Sequence, residues 1–194
     1  MRFRGSTRFG RAGSALVAVT LIAGVAAVIG QTLAAPPAAA APPYNYGEAL
    51  QKAIWFYDAQ RLGDLPANNR VSWRGDSFLN DRDGTLDLTG GFADAGDHIK
   101  ATFPFAHSMT ALAWGMVEYP TAYSGTGQGQ YLLSNLRWGM DWLIKAHPSA
   151  NRLVGEIADP NVDHQVWASA EVQNYNRQVY YIDSTCGGSD LAAS

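Results

Sequence analysis

The segment Gln130–His147, QYLLSNLRWGMDWLIKAH, decides the class of fold. Leu133, Leu136, Met140 and Leu143 recur at three- and four-residue intervals, the spacing that lines up side chains on one face of an α-helix, and Pro148 ends the run. The spacing predicts a helix over 130–147 with those four residues turned to a core. The same period appears twice upstream. Leu50, Ile54 and Tyr57 mark one face of Tyr46–Arg61, with Leu62-Gly63 as its stop. Phe105, Met109, Leu112 and Met116 mark Phe105–Tyr119, entered through Pro104 and left at Pro120.

Between these helices the chain is polar, Gly-rich and aromatic. Residues 62–98 and 148–166 show little two-residue alternation, so no substantial β-sheet is expected. Their Trp, Tyr and Phe content argues against disorder, and long loops in a compact domain are usually functional. The expected architecture is all-α, with helices joined by long loops. The loop before the second helix and the loop after the third can then meet at one mouth of the helical assembly.

Residues 1–41 are set apart from the fold. Arg2, Arg4, Arg8 and Arg11 precede an almost wholly small or apolar stretch, Ala12–Gly30, and an Ala/Pro run, Ala34–Ala41. That order is the pattern of a secretory signal peptide with a small-residue exit. The competing reading is an uncleaved anchor, since the apolar stretch is close to the roughly 20 residues needed to span a bilayer. Gly13, Gly24 and Gly30 weaken it as a spanning helix, and cleavage near Ala38-Ala39-Ala40 is expected. Residues 42–194 remain as the globular part of a secreted protein.

Removing four arginines from 14 Lys+Arg, against 17 Asp+Glu, leaves a net charge of −7. Such a chain is repelled by nucleic acid and by anionic membrane, which points to a neutral or cationic ligand. Cys186 is the lone cysteine, so no internal disulfide is available and stability must come from packing.

The chemistry concentrates in Gly90–His98, GGFADAGDH. Gly90-Gly91 and Ala95-Gly96 let the backbone pass close to a neighbour or a ligand. Spacing alone leaves three readings of Asp94 and Asp97. They can be a helix cap and an Asx-turn. They can be a pair in which one carboxylate holds a water and the other orients it or raises its basicity. With His98 they can be metal ligands, although no second ligand cluster of familiar spacing accompanies them. Neighbours in one turn approach a sugar from one side, so they are not expected to be both halves of an inverting glycosidase pair, which stand roughly 6.5–9.5 Å apart across the sugar. Asp163-His164-Gln165-Val166-Trp167 joins an imidazole to an indole, a pairing suited to a carbohydrate groove. Arg74-Gly75-Asp76 spells an adhesion tripeptide but reads as structural, and Asp81–Asp87 reads as a polar turn rather than a calcium loop. Glu156, Asp159 and Glu171 stand in no pattern that singles them out.

Taken in order, YNYGEALQK (44–52), LPANNRVSWRGDS (65–77), LDLTGGFADAGDHIK (86–100), LAWG (112–115), IKAHPS (144–149) and IDSTCGGSDLAA (182–193) resemble the catalytic module of glycoside hydrolase family nine. These are secreted cellulases, chiefly endo-β-1,4-glucanases. The resemblance implies an (α/α)6 barrel, of which about the N-terminal half is present, inversion of configuration, and a cleft lined by aromatic rings. It implies that Asp97 is the general base, that Asp94 is its helper, and that His164 and Trp167 hold the glucan chain. No cofactor is implied, and the partner is a β-glucan bound by a monomer.

Some positions depart from the family pattern. Phe92 and Ala93 stand where the family usually has Trp and Tyr, and His107 replaces an apolar residue. Val166, Ala168 and Ser169 stand where it tends to read Trp, Gly and Pro. The family's general acid is a Glu near the C-terminal end of a module more than twice this length, and no residue here matches it. Lacking an acid typically forfeits on the order of 10² to 10⁴ in rate, so weak turnover by these 194 residues is expected. A non-catalytic carbohydrate-binding protein and a non-functional gene fragment are the rival readings.

Overall fold

The computed structural model describes residues 44–187, and the reading of residues 1–41 as a signal peptide lies outside them. Among the described residues no helix is long and apolar enough to cross a membrane.

The three expected helices form. Helix α1 spans Tyr46–Ala59, its N-terminus capped by the Asn45 side chain, which accepts from the Glu48 N–H at 3.0 Å. Helix α2 spans Thr102–Glu118. Pro104 falls in its first turn, where a missing N–H costs no intrahelical bond. Pro120 opens a further short helix, α3 (Pro120–Gly125), rather than merely following the second. Helix α4 spans Gly129–Ala146.

The buried face of α4 is turned about one residue from the expected one, with Leu136 and Leu143 packed against the core and Leu133 and Met140 turned out. Leu132, Asn135, Gly139, Trp142 and Ala146 are buried, whereas Leu133 and Met140 are 44% and 48% exposed. Two residues that no apolar count registers explain the one-residue offset. At Gly139, α2 comes so close that an added Cβ would lie 2.4 Å from the Met109 sulfur. At Asn135, the amide joins a polar knot, accepting from Arg61 Nε at 3.0 Å and donating to Asp58 Oδ1 at 2.7 Å. Asp58 also pairs with Arg70. A buried, fully bonded amide fixes the helix rotation as firmly as a leucine does.

The all-α expectation is corrected by two small antiparallel sheets. Strands β1 (Arg82–Asp83) and β2 (Leu86–Asp87) form a ribbon. A three-stranded sheet has the order β3 (Lys100–Ala101), β4 (Leu153–Ile157), β5 (Val179–Ile182). Its register pairs Ala101 with Glu156 and Ile157 with Val179, and an irregularity between Val154 and Glu156 accommodates Gly155. Strands this short, one broken by glycine, carry too little alternation to be seen in sequence.

The core lies where α2, α4 and the sheet meet, and includes Leu88, Phe92, Phe105, Met109, Trp142 and Val154. Beneath it Asp81 is buried between two cations, with Lys100 Nζ at 2.7 Å and Arg177 Nε at 2.5 Å. The 81–87 stretch is therefore a polar hairpin whose first acid is an internal anchor. The Arg-Gly-Asp triplet is structural as well. Arg74 pairs with Glu171 at 2.7 Å and donates to the Ala59 carbonyl at 2.9 Å, and Asp76 accepts from the Leu65 N–H.

Candidate active site

The 89–100 segment runs from the ribbon to β3 and is shaped by its glycines. Gly91 adopts φ +75, and a Cβ there would lie 2.7 Å from Cγ of the buried Trp142. The Gly91 carbonyl accepts from Trp138 Nε1 at 2.9 Å and from the Leu62 N–H at 3.0 Å, which ties the segment to α4 and to the end of α1. The Asp94 N–H donates to the Ile99 carbonyl at 2.8 Å, closing a tight loop around Asp97.

Asp97 uses its two oxygens differently. Oδ1 accepts the Ile99 N–H at 3.1 Å, an Asx-turn, and Oδ2 meets His164 Nε2 at 3.2 Å. The Asx-turn reading thus holds for Asp97 through one oxygen, while the other oxygen faces His164. Neither Asp caps α2, because its N-cap is Ala101 with no side-chain bond.

Strand β4 leads into a one-turn helix, α5 (Pro160–Asp163), capped by Asp159, which accepts from the Asn161 N–H at 2.8 Å. That turn delivers Asp163 inward and His164 outward. Trp167 follows, 86% exposed, its ring so close to Gly96 that a Cβ there would lie 2.9 Å from the indole. Gly96, Asp97, His98, Asp163, His164 and Trp167 line an open cleft of about 400 Å³.

Three of the four expected site residues, Asp97, His164 and Trp167, therefore share one cleft. Asp94 lines a neighbouring cavity of about 290 Å³ with Tyr57, Phe92, Ala93 and Phe105. Partial burial, and then the charge of Asp97, raises the Asp94 carboxyl above the ordinary range. Burial pushes the His98 imidazole down, against the opposing pull of Asp163.

Two groups with no signal in the sequence belong to this neighbourhood. Glu156 on β4 has its carboxyl raised by burial and then by Asp159, Asp97 and Asp94, so it shares their field. Asp163 is buried and accepts from the Tyr175 hydroxyl and from the His98 N–H at 3.3 Å. The metal reading changes its members. Asp97, Asp163 and His164 each offer one ligand atom within 4.8 Å of the others, and neither Asp94 nor His98 belongs to the set. The buried Asp163 carboxylate is already engaged by two donors.

Glycosyl hydrolase family 9 matches residues 46–194. Endoglucanase B of Cellulomonas fimi is 51% identical over 180 residues, which are 90% of this chain and 17% of that protein. Endoglucanase 14 of Arabidopsis thaliana is 46% identical over 149 residues, 76% of this chain and 30% of that one. Among solved structures, the endoglucanase of the termite Nasutitermes takasagoensis superposes with a TM-score of 0.75 at 41% identity, covering 78% of this chain and 35% of that one. The chain thus spans about a third or less of the length of the relatives it matches. The match covers both loops of the cleft and every helix described, and on it this chain belongs to glycosyl hydrolase family 9.

Proposed function

We propose that the protein hydrolyses β-1,4-glucosidic bonds in cellulose or a related β-glucan, by single displacement with inversion, outside the cell. The observation that carries the reading is the Asp97–His164 contact beside an exposed Trp167 in a chain of this family. A related structure, the endoglucanase CelQ of Clostridium thermocellum, is described as complexed with cellotriose, and a glucan of that kind suits a cleft with an indole wall.

Asp97 Oδ2 takes a proton from a water as the water attacks the anomeric carbon, while Oδ1 stays bonded to the Ile99 N–H and keeps the carboxylate from turning. Asp94, its own carboxyl disfavoured as an anion by burial and by Asp97, holds that water in line. His164 bonds a sugar hydroxyl and Trp167 stacks on a ring face. The leaving oxygen is protonated by a carboxylic acid across the sugar, roughly 6.5–9.5 Å from the base.

The family 9 neighbours imply an (α/α)6 barrel. Trp55, Phe56, Phe103, Trp114 and Ile144 are 45–70% exposed along α1, α2 and α4, and these are the faces that further barrel helices would cover. Residues 1–41 act as the secretion signal.

The test is product stereochemistry on a soluble β-glucan, followed by proton NMR. Slow release of the inverted anomer, at a rate about 10² to 10⁴ below that of an enzyme with its acid in place and abolished in Asp97→Asn, is the expected result. Binding of cellotetraose without turnover would favour a carbohydrate-binding protein, and first release of the retained anomer would refute the mechanism.

A further inference from the structure

We propose that Asp163 is a positioning residue for the Asp97–His164 pair, clamped in turn by Tyr175 and Arg177; the proposal rests on the assignment of Asp97 and His164 to the glucan site.

Two rungs join the 89–100 loop to the end of α5. The outer rung is the 3.2 Å contact of Asp97 Oδ2 with His164 Nε2, whose side chains are 18% and 58% exposed. The inner rung joins the residue after Asp97 to the residue before His164. Asp163 Oδ2 accepts the His98 N–H at 3.3 Å, and Asp163 Oδ1 lies 3.8 Å from His98 Nδ1. With 97 opposite 164 and 98 opposite 163, a slip of the inner rung moves the outer one with it.

The energetics make the inner rung the master. An exposed ion pair contributes only about 0–1 kcal/mol, too little to hold a carboxylate and an imidazole in one geometry. A carboxylate as buried as that of Asp163, 3% exposed, must keep its partners, because stripping them leaves an uncompensated charge out of water. Those partners reach back into the core. The Tyr175 hydroxyl donates to Asp163 Oδ1. Arg177 donates to that same hydroxyl at 2.9 Å and to the His98 carbonyl at 2.8 Å, so one guanidinium grips both sides of the rung. Asp81 holds Arg177 at 2.5 and 3.2 Å, and Lys100 holds Asp81. The continuous run Lys100–Asp81–Arg177–Tyr175–Asp163 ends beside His164 in the chain and is bonded to His98, the neighbour of Asp97.

The test uses the 194-residue chain labelled with 15N, and follows the His98 and His164 ring nitrogens by long-range proton–nitrogen correlation. Asp97→Asn identifies the resonance of a released His164. Tyr175→Phe removes one hydroxyl and keeps the ring against Phe78, 6.2 Å away. It is expected to leave the amide spectrum intact away from the site while moving His164 Nε2 toward its released position. Asp163→Asn is expected to move it further, with Asp163→Glu restoring part of the shift. Where Asp163→Asn fails to fold, Tyr175→Phe decides. His164 signals that superimpose on wild type in the folded variants, or a wild-type signal that already coincides with Asp97→Asn, overturn the proposal. Cellotetraose titration of the same samples separates it from the glucan reading. Wild-type binding weakened roughly tenfold in Tyr175→Phe supports both. A moved His164 signal with no cellotetraose binding by wild type upholds the clamp and sinks the glucan reading.

Discussion

Gly91 and Gly96 stand five residues apart in one loop, and the same substitution at each should have opposite consequences. At Gly91 the backbone is at φ +75, which costs an alanine about 1–2 kcal/mol. Its new Cβ would lie 2.7 Å from Trp142 Cγ and 3.0 Å from Cδ1 and Cδ2. That ring cannot retreat. It is 1% exposed, donates Nε1–H to the Leu88 carbonyl at 2.9 Å, and stands 5.2 Å from the Phe105 ring. Forcing atoms into such a core adds about 1–3 kcal/mol, so Gly91→Ala should destabilise by about 2–5 kcal/mol. At Gly96, φ lies outside the positive range and the new Cβ would meet Cη2 of Trp167 at 2.9 Å. That ring is 86% exposed and swings aside, so the stability change should stay within about 0.5 kcal/mol. The displaced indole no longer lies against the loop beside Asp97. Losing aromatic contact of about 0.5–1.5 kcal/mol should weaken cellotetraose binding by about 2- to 12-fold. Urea unfolding and a cellotetraose titration of both variants provide the check. The reasoning is refuted if Gly91→Ala unfolds within about 1 kcal/mol of wild type, or if Gly96→Ala is the less stable of the two.

Arg74→Met should lower stability by about 2–4 kcal/mol in urea unfolding, because the Ala59 and Arg61 carbonyls lose this donor and Glu171 loses its cation, keeping only the Gly75 N–H; an unchanged midpoint would refute the structural reading of the triplet. Burial, then the 2.7 Å bond to Asp83, pushes the Tyr181 phenol up to about 12 from an unfolded value of 10.0. Its contribution is therefore full below pH 10 and lost as pH rises toward 12. Tyr181→Phe should flatten that alkaline limb, by less than about 1 kcal/mol given its exposure to solvent, as read by denaturant midpoints at pH 9 and 11. Asp97→Asn removes a charge that raises the Asp94 carboxyl, so the Asp94 titration followed by carbon NMR should move down, and a fixed midpoint would mean that burial alone sets it.

The helices were legible because their cores repeat at helical spacing, and all three lie within a few residues of where that spacing puts them. The face of α4 was not. Leu133 and Met140 sit in register with Leu136 and Leu143, yet the face that packs holds Asn135 and Gly139, one chosen by a buried polar knot and the other by the approach of Met109. Both choices depend on what lies across the contact, which hydropathy along one helix does not record. The same holds for β4, whose pairing with β3 and β5 stabilises a five-residue segment that no local pattern marks.

In the cleft, what could be read were the groups whose chemistry demands a particular residue type: an acid between glycines, an imidazole, an indole. What could not be read was how Asp97 and His164, 67 residues apart, come to face each other. That register depends on Asp163, Tyr175, Arg177 and Asp81, drawn from three separate stretches of chain, two of them acids that would pass for surface charge. A carboxylate becomes an anchor only when burial makes its partners obligatory, and burial is a property of the folded chain. Motif and support therefore differ in kind. The pair proposed to meet the sugar is joined by one partly exposed contact, so the precision of the site has to be supplied from the layer beneath it. In this chain that layer is ionic rather than apolar, and the cleft geometry should accordingly be more sensitive to loss of one buried charge than to loss of one buried methyl group.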